Sequence, residues 1–336
     1  LGIVLSIFAL LAASPPDNSI YLEFDFQQLT VYPNSPVVGL TTQYTITFQR
    51  FIDNNNNETP WNSTQVSLII ILGPATSSIT VTFPSDYTLA SPTCLSVTVS
   101  GIAATNFTCL TSGSTITING AIPIAANVYN VELIIGNILN PVPAVQTGEF
   151  QGTIGVDVAV PAGAAFVQLT VANFDNCNVT FDLPYVNKTS TMVLTLDPRN
   201  ALGSSASIVV VVPLHWTNDI QTSSQLPITS SMNCVNYSST VSTSPMCSGY
   251  LANASIVVSS LFTSSINTSF SFGITQMVSP PTLQASDSIT ITSFINGNKV
   301  DTCTAYVSGL LPNTISPLAI TPMATMQVNS NVGLKI

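Results

Sequence analysis

Charge is what this chain has least of. Across 336 residues Lys and Arg number 5, Asp and Glu 15, and all charged residues together make up 6%. An ordinary soluble globular protein carries roughly 25%. The five cations, Arg50, Lys188, Arg199, Lys299 and Lys335, lie far apart in sequence. Nucleic-acid binding needs a clustered basic footprint to release counterions, so no nucleic-acid partner is expected. Histidine is nearly missing too. His215 is alone, which excludes a His-rich zinc site and leaves one candidate base for a Ser-His-Asp hydrolase. No C-x-x-C pair, G-x-G-x-x-G, Walker loop or H-E-x-x-H occurs, so neither a cofactor nor a metal is expected. The longest apolar run, Leu1 to Ala13, is shorter than the roughly 20 residues a helix needs to span a bilayer. No spanning membrane segment is expected.

What fills the chain instead is alternation. Apolar residues make up 46%, and they alternate with Thr and Ser in Tyr44-Thr-Ile-Thr-Phe48, Ser78-Ile-Thr-Val-Thr-Phe83, Ser114-Thr-Ile-Thr-Ile118 and Ser288-Ile-Thr-Ile-Thr292. β-Branched residues at period two, punctuated by Pro, Gly and Asn, predict half-buried antiparallel strands and an all-β fold.

The pattern also repeats. Ser78-Ile-Thr-Val-Thr-Phe-Pro-Ser-Asp-Tyr87 has a counterpart in Ser207-Ile-Val-Val-Val-Val-Pro-Leu-His-Trp216. Val131-Glu-Leu-Ile-Ile-Gly-Asn-Ile-Leu-Asn-Pro141 matches Phe270-Ser-Phe-Gly-Ile-Thr-Gln-Met-Val-Ser-Pro280, and Phe150–Val156 then matches Ile289–Ile295. The expected organisation is an apolar segment at 1–16, a first sandwich at 17–162, a second at 163–312 and a C-terminal extension at 313–336. In that extension Leu318-Ala-Ile-Thr-Pro322 repeats the openings Leu29-Thr-Val-Tyr-Pro33 and Val179-Thr-Phe-Asp-Leu-Pro184, like the start of a third repeat.

The motif Phe83-Pro84-Ser85-Asp86-Tyr87, Cys94, Gly136-Asn137-Ile138-Leu139-Asn140-Pro141, Phe150 resembles the tandem immunoglobulin-like repeats of large extracellular surface proteins of ciliates and other protists. The second unit matches more loosely, with Val212-Pro213 and Ser279-Pro280 in the corresponding places. The resemblance implies two tandem immunoglobulin-like antiparallel β-sandwiches with extended N- and C-terminal segments, and no enzymatic role.

Six cysteines and no C-x-x-C point to disulfides in an oxidising compartment. The repeat aligns Cys94 and Cys109 with Cys234 and Cys247, leaving Cys177 and Cys303 to bracket the second unit. Asn-x-Ser/Thr sequons stand at Asn57, Asn62, Asn106, Asn178, Asn187, Asn236, Asn253 and Asn267. Chance alone produces about as many in a chain this rich in Asn, Ser and Thr. N-linked glycans are nonetheless expected partners, since they solubilise a charge-poor secreted surface.

Three other features bear on chemistry. His215 occupies the slot of Asp86 in the first unit, a turn or edge position rather than a catalytic one. Asp53-Asn-Asn-Asn-Asn-Glu58 lacks the glycine and distal Glu of a calcium loop, and reads as a solvated turn. Trp61, Tyr87, Trp216 and Tyr250 are candidates for a sugar platform, although sandwich cores use aromatics in the same way.

The run Leu1 to Ala13 has the length of a signal-peptide core. Read as a strand, it presents Leu1, Ile3, Leu5 and Ile7 on one edge, the pattern of a segment donated to another domain's sheet. Leu318 and Ile320 are the corresponding contact candidates at the other end. The pattern implies an extracellular, homo-oligomeric structural subunit of a filament or surface coat, joined head to tail by terminal strand exchange, as donor-strand-exchange fibres are. The alternative is an adhesion or glycan-recognition ectodomain of a cell-surface repeat protein.

Overall fold

The structure is a computed structural model that describes residues 28–49, 78–121, 130–154, 158–159, 165–213, 233–242, 244–250, 254–284, 287–312, 321–322 and 334–335. Among them every regular element is a strand. None forms a helix long and apolar enough to cross a membrane. The chain divides into two compact units, Leu1–Ala172 and Asn173–Ile336.

The first unit runs β1 (Gln28–Pro33), β2 (Thr41–Gln49), β3 (Ser78–Thr82), β4 (Thr93–Val99), β5 (Ile102–Ala103), β6 (Thr108–Ser112), β7 (Thr115–Asn119), β8 (Asn130–Leu139), β9 (Gln151–Ile154) and β10 (Val158–Ala159). They form two antiparallel sheets, β1-β2-β8-β4-β5 and β10-β9-β3-β7-β6. The period-two alternation explains them directly. Tyr44, Ile46 and Phe48 of β2, Ile79 and Val81 of β3, Ile116 and Ile118 of β7, and Leu133 and Ile135 of β8 are all fully buried. The intervening Thr residues face outward. Residues of both sheets meet in one core, each large aliphatic side chain contributing roughly 1.5–3 kcal/mol on burial.

The second unit runs β11 (Ala172–Asn173), β12 (Asn176–Phe181), β13 (Thr189–Asp197), β14 (Ala206–Val211), β15 (Cys234–Asn236), β16 (Met246–Tyr250), β17 (Ser255–Ser259), β18 (Phe270–Val278), β19 (Ile289–Ile295) and β20 (Asn298–Ala305). Its sheets are β12-β13-β18-β15 and β11-β20-β19-β14-β17-β16. Substituting β12, β13, β18 and β15 for β1, β2, β8 and β4 reproduces the first unit's sheet apart from its edge strand β5. The other sheet maps in the same way, β20-β19-β14-β17-β16 onto β10-β9-β3-β7-β6. In each unit the first sheet has the A-B-E-D order of an immunoglobulin sandwich and the second contains G-F-C, with β11 added outside G in the second unit. A hairpin inserted between D and E extends the second sheet beyond C. The protein is thus two tandem immunoglobulin-like sandwiches.

Equivalence reaches single residues. β8 and β18 each carry a bulge, a shift of pairing between Thr42 and Tyr44 in one unit and between Ser190 and Met192 in the other. Asn137 and Gln276 hold the same place in the repeat, and each has a φ of 62°. A bulge at that point re-aims the strand and brings Ile138 or Met277 back to the core.

The boundary differs from the sequence-based one. Residues 165–172 belong to the first sandwich, not to the second as the 163–312 assignment implies. Ala165, Val167 and Leu169 are buried in its core. Phe150 N–H donates to Ala165 O at 3.0 Å, Thr147 N–H to Val167 O at 2.9 Å and Thr170 N–H to Pro36 O at 2.8 Å. A tail that ladders along a domain is part of that domain, and periodicity cannot reveal it because it forms only isolated bridges. The second unit closes in the same way: Leu311 N–H donates to Pro184 O at 2.6 Å, and Val186 N–H to Leu311 O at 3.0 Å. Further on, β21 (Thr321–Pro322) pairs antiparallel with β22 (Leu334–Lys335).

Near the A strand, the first unit packs a ring of its B strand against a glycine of its F strand. Leu29 lies opposite Phe48. A Cβ added to Gly152 would stand 2.3 Å from the Phe48 ring and 3.4 Å from the Leu29 side chain. The glycine therefore makes room for the ring. Gly152→Ala is expected to destabilise the first unit by about 1–3 kcal/mol through overpacking, read as a lower denaturation midpoint at unchanged slope.

Candidate functional site

A two-sheet sandwich is open along two flanks, where the outer strands of the sheets face each other. Three disulfides close these flanks. Cys94 on β4 joins Cys109 on β6, and Cys234 on β15 joins Cys247 on β16. Both link the D strand to the inserted hairpin, so they staple the same flank of each unit. Cys177 on β12 joins Cys303 on β20, stapling the A–G flank of the second unit. Cys177 lies opposite Leu196, the position that Leu29 holds opposite Phe48. The second unit thus joins A to G covalently at this position, where the first carries Leu29 beside Phe48, whose ring packs over Gly152 of β9.

Apolar side chains stand exposed on the D-side flanks. In the first unit they are Leu95, Ile102 and Leu110; in the second, Tyr237, Met246 and Tyr250. The strands that flank the second group, β15 and β16, contain no charged residue.

The sequons of the described residues all present an exposed asparagine: Asn106, Asn178, Asn187, Asn236 and Asn267. Asn57, Asn62 and Asn253 lie outside the described residues, as do Leu1, Ile3, Leu5, Ile7, Leu318 and Ile320. His215, Trp61, Trp216 and the Asp53–Glu58 run lie outside them as well. Tyr87 is a core residue and Tyr250 an exposed one, so of these two only Tyr250 offers its ring to solvent.

Polar networks that sequence reasoning missed hold the loops. Asn140 is 1% exposed. Its Nδ2 donates to Ser35 O at 2.9 Å and Val37 O at 2.7 Å, while its Oδ1 accepts the Tyr44 hydroxyl at 2.5 Å. Tyr44 Oη in turn lies 2.7 Å from Tyr87 Oη. Edge-to-face contacts join both rings to Phe83. Burial pushes the Tyr44 phenol up to about 12 and raises Tyr87 as well, so neither serves as a base or nucleophile near neutral pH. Ser279 is the counterpart of Asn140. It is fully buried, accepts Lys188 N–H at 2.9 Å and donates to Tyr185 O. In both units a polar residue before a proline ties the A–B loop to the E strand. The Asn-Pro and Ser-Pro pairs are the signal of it that the sequence carries.

The second unit also buries a carboxyl. Asp301 is fully enclosed and accepts Asn200 Nδ2–H at 2.7 Å and Asn200 N–H at 3.3 Å. Its own N–H donates to Ser293 Oγ at 2.9 Å. Desolvation raises its pKa, and the Asn200 hydrogen bonds only partly offset this. Arg199, next to Asn200 in sequence, pairs instead with Asp175 at the surface, at 2.8 Å. No group of three or more His, Cys, Asp and Glu among the described residues is arranged to hold a metal ion.

No protein-family model matches the chain, and no curated protein matches its sequence. Among solved structures it is similar to the C-terminal domain of the Streptococcus pyogenes antigen I/II-family protein AspA, at 9% identity and a TM-score of 0.29 over 84% of this chain and 100% of that one. It is similar also to the Actinomyces fimbrial adhesin FimA, at 7% identity and a TM-score of 0.27 over 86% and 100%. The Bacillus cereus major pilin subunit BcpA gives 13% identity and a TM-score of 0.28 over 86% and 69%. Identities and scores this low bear on neither family nor activity.

Two expectations follow. Loop closure scales with separation, which is 126 residues for Cys177–Cys303 and 15 for Cys94–Cys109. Replacing the first pair by Ala is expected to cost about 5 kcal/mol and the second about 3 kcal/mol in the entropy model, measured by denaturant unfolding without reductant. Asp301 has a folded-state pKa above its unfolded value of 3.8. Its contribution is therefore complete below that pH and declines as pH rises toward the folded pKa. Melting temperature against pH is expected to flatten over this window in Asp301→Asn.

Proposed function

We propose that the chain is a non-catalytic structural subunit of an extracellular filament or surface coat, in which neighbouring copies join head to tail by exchange of terminal strands. The observation that carries this reading is the repeated, disulfide-stapled sandwich preceded by an uncharged segment of alternating apolar residues. Disulfides belong to an oxidising compartment. They also resist load and proteolysis without any need for a large core. Edge strands offer unpaired main-chain groups to an added strand. Leu1 to Ala13 is uncharged and apolar at every odd position through Leu11, as a donated strand would be. A heterologous contact of this kind propagates into an open assembly. N-linked glycans on the exposed sequons supply the solubility that charge does not.

A second reading, an adhesion or glycan-recognition ectodomain, is favoured by the exposed rings of Tyr237 and Tyr250 on one flank. Aromatic faces of this kind suit a sugar ligand.

Electron microscopy of the native chain and of a variant lacking residues 1–13 separates these readings. Fibres from the native chain and monomers from the variant are expected. Monomers from both would remove the filament reading and leave the ectodomain. Fibres from both would move the donor role to Leu318–Ile336.

A further inference from the structure

Each of the three staples has a sequon beside it. Asn106 lies three residues before Cys109, Asn178 directly follows Cys177, and Asn236 is two residues after Cys234. All three asparagines are exposed, and each belongs to an outer strand or abuts one. Asn106 precedes β6, the last strand of its sheet. Asn178 lies on β12 and Asn236 on β15, the two opposite edges of one four-stranded sheet. Asn187 and Asn267 instead sit in connections between strands.

The local geometry fits modification. On β12, Val179 and Phe181 point into the core while Asn178 and Thr180 share the outward face. Acceptor and hydroxyl thus stand together in solvent. Asn236 Oδ1 accepts Ser238 N–H at 2.7 Å, and its Nδ2 donates one hydrogen to Val241 O at 3.0 Å. This turn holds the amide outward and leaves a second hydrogen on Nδ2. The edges themselves need cover. Proteins ordinarily block outer strands with Lys, Pro or inward-pointing charge, yet β6, β12, β15 and β16 contain none of these.

We infer that Asn106, Asn178 and Asn236 carry N-linked glycans that cap the stapled flanks, blocking edge-to-edge pairing and shielding the disulfides. In the modification, asparagine Nδ2 bonds to C1 of an oligosaccharide carried on a lipid diphosphate. The C1–O bond to the diphosphate breaks, and one amide proton is released. This inference rests only on the secreted, glycosylated part of the proposed function, and it holds whether or not copies form fibres.

The test begins with the full chain secreted from a eukaryotic host. Amidase deglycosylation in heavy-oxygen water, followed by mass spectrometry of non-tryptic peptides, reads occupancy at each asparagine. Label at all three is expected; unlabelled Asn106, Asn178 and Asn236 would overturn the assignment even if fibres form. A Thr108→Ala, Thr180→Ala, Ser238→Ala variant is then compared with the parent. The variant is expected to lose three glycan masses and to shift from its parent elution volume to larger species. Its thiols are also expected to appear faster in dithiothreitol. Loss of the glycans with unchanged elution and unchanged reduction rate would overturn the capping role. Where near-UV circular dichroism shows the variant misfolded, the native glycoprotein trimmed enzymatically to single sugars takes its place. Larger species and faster reduction after trimming are then expected, and no change in either would overturn the capping role.

Discussion

Closing the open flanks of a two-sheet sandwich is the constraint on which the rest of this molecule depends. Face-to-face packing of the sheets satisfies the inward residues of every strand, but it leaves the outermost strands with unpaired backbone groups and a seam that water can enter. Charge is the common remedy, and a chain with 6% charged residues has little of it to use. The protein answers with covalent bonds. Both D-side flanks are stapled, and so is the A–G flank of the second unit. At the position of Cys177 the first unit instead carries Leu29, opposite Phe48, whose ring packs over Gly152 of the F strand.

The same economy governs the interior. Buried polar groups are few among the described residues, and they tie loops to strands. Asn140 and Ser279 occupy one position of the repeat and draw the A–B loop onto the E strand, one through an amide and the other through a hydroxyl. Each is held by backbone partners, and burying such a group is tolerable only on that condition. Asp301 follows the rule less fully, with a carboxyl held by Asn200 in place of a cation. Its burial raises the pKa of that carboxyl.

Disulfides at the flanks and polar anchors in the loops tie the described strands of each unit together. The described residues gather no cluster of titratable groups suited to catalysis. What they present is edges, exposed apolar side chains that include those of the D-side flanks, and asparagines beside the staples.

Sequence alone determined the strands and their repetition. Threonine and β-branched residues at period two leave no other element open to Tyr44–Phe48 or Ser288–Thr292, because a helix of that pattern would bury hydroxyls. It also marked which cysteines correspond, since the repeat aligns Cys94 and Cys109 with Cys234 and Cys247. Only the tertiary structure decided where the first unit ends, because residues 165–172 are held by isolated bridges that no periodicity records. It alone placed Asn140 against Tyr44, and Asn200 against Asp301, each pair about a hundred residues apart in sequence. And it alone put Asn106, Asn178 and Asn236 on the flanks, because an edge is a property of which strands have no neighbour, and pairing between distant strands is settled only when the sheets assemble.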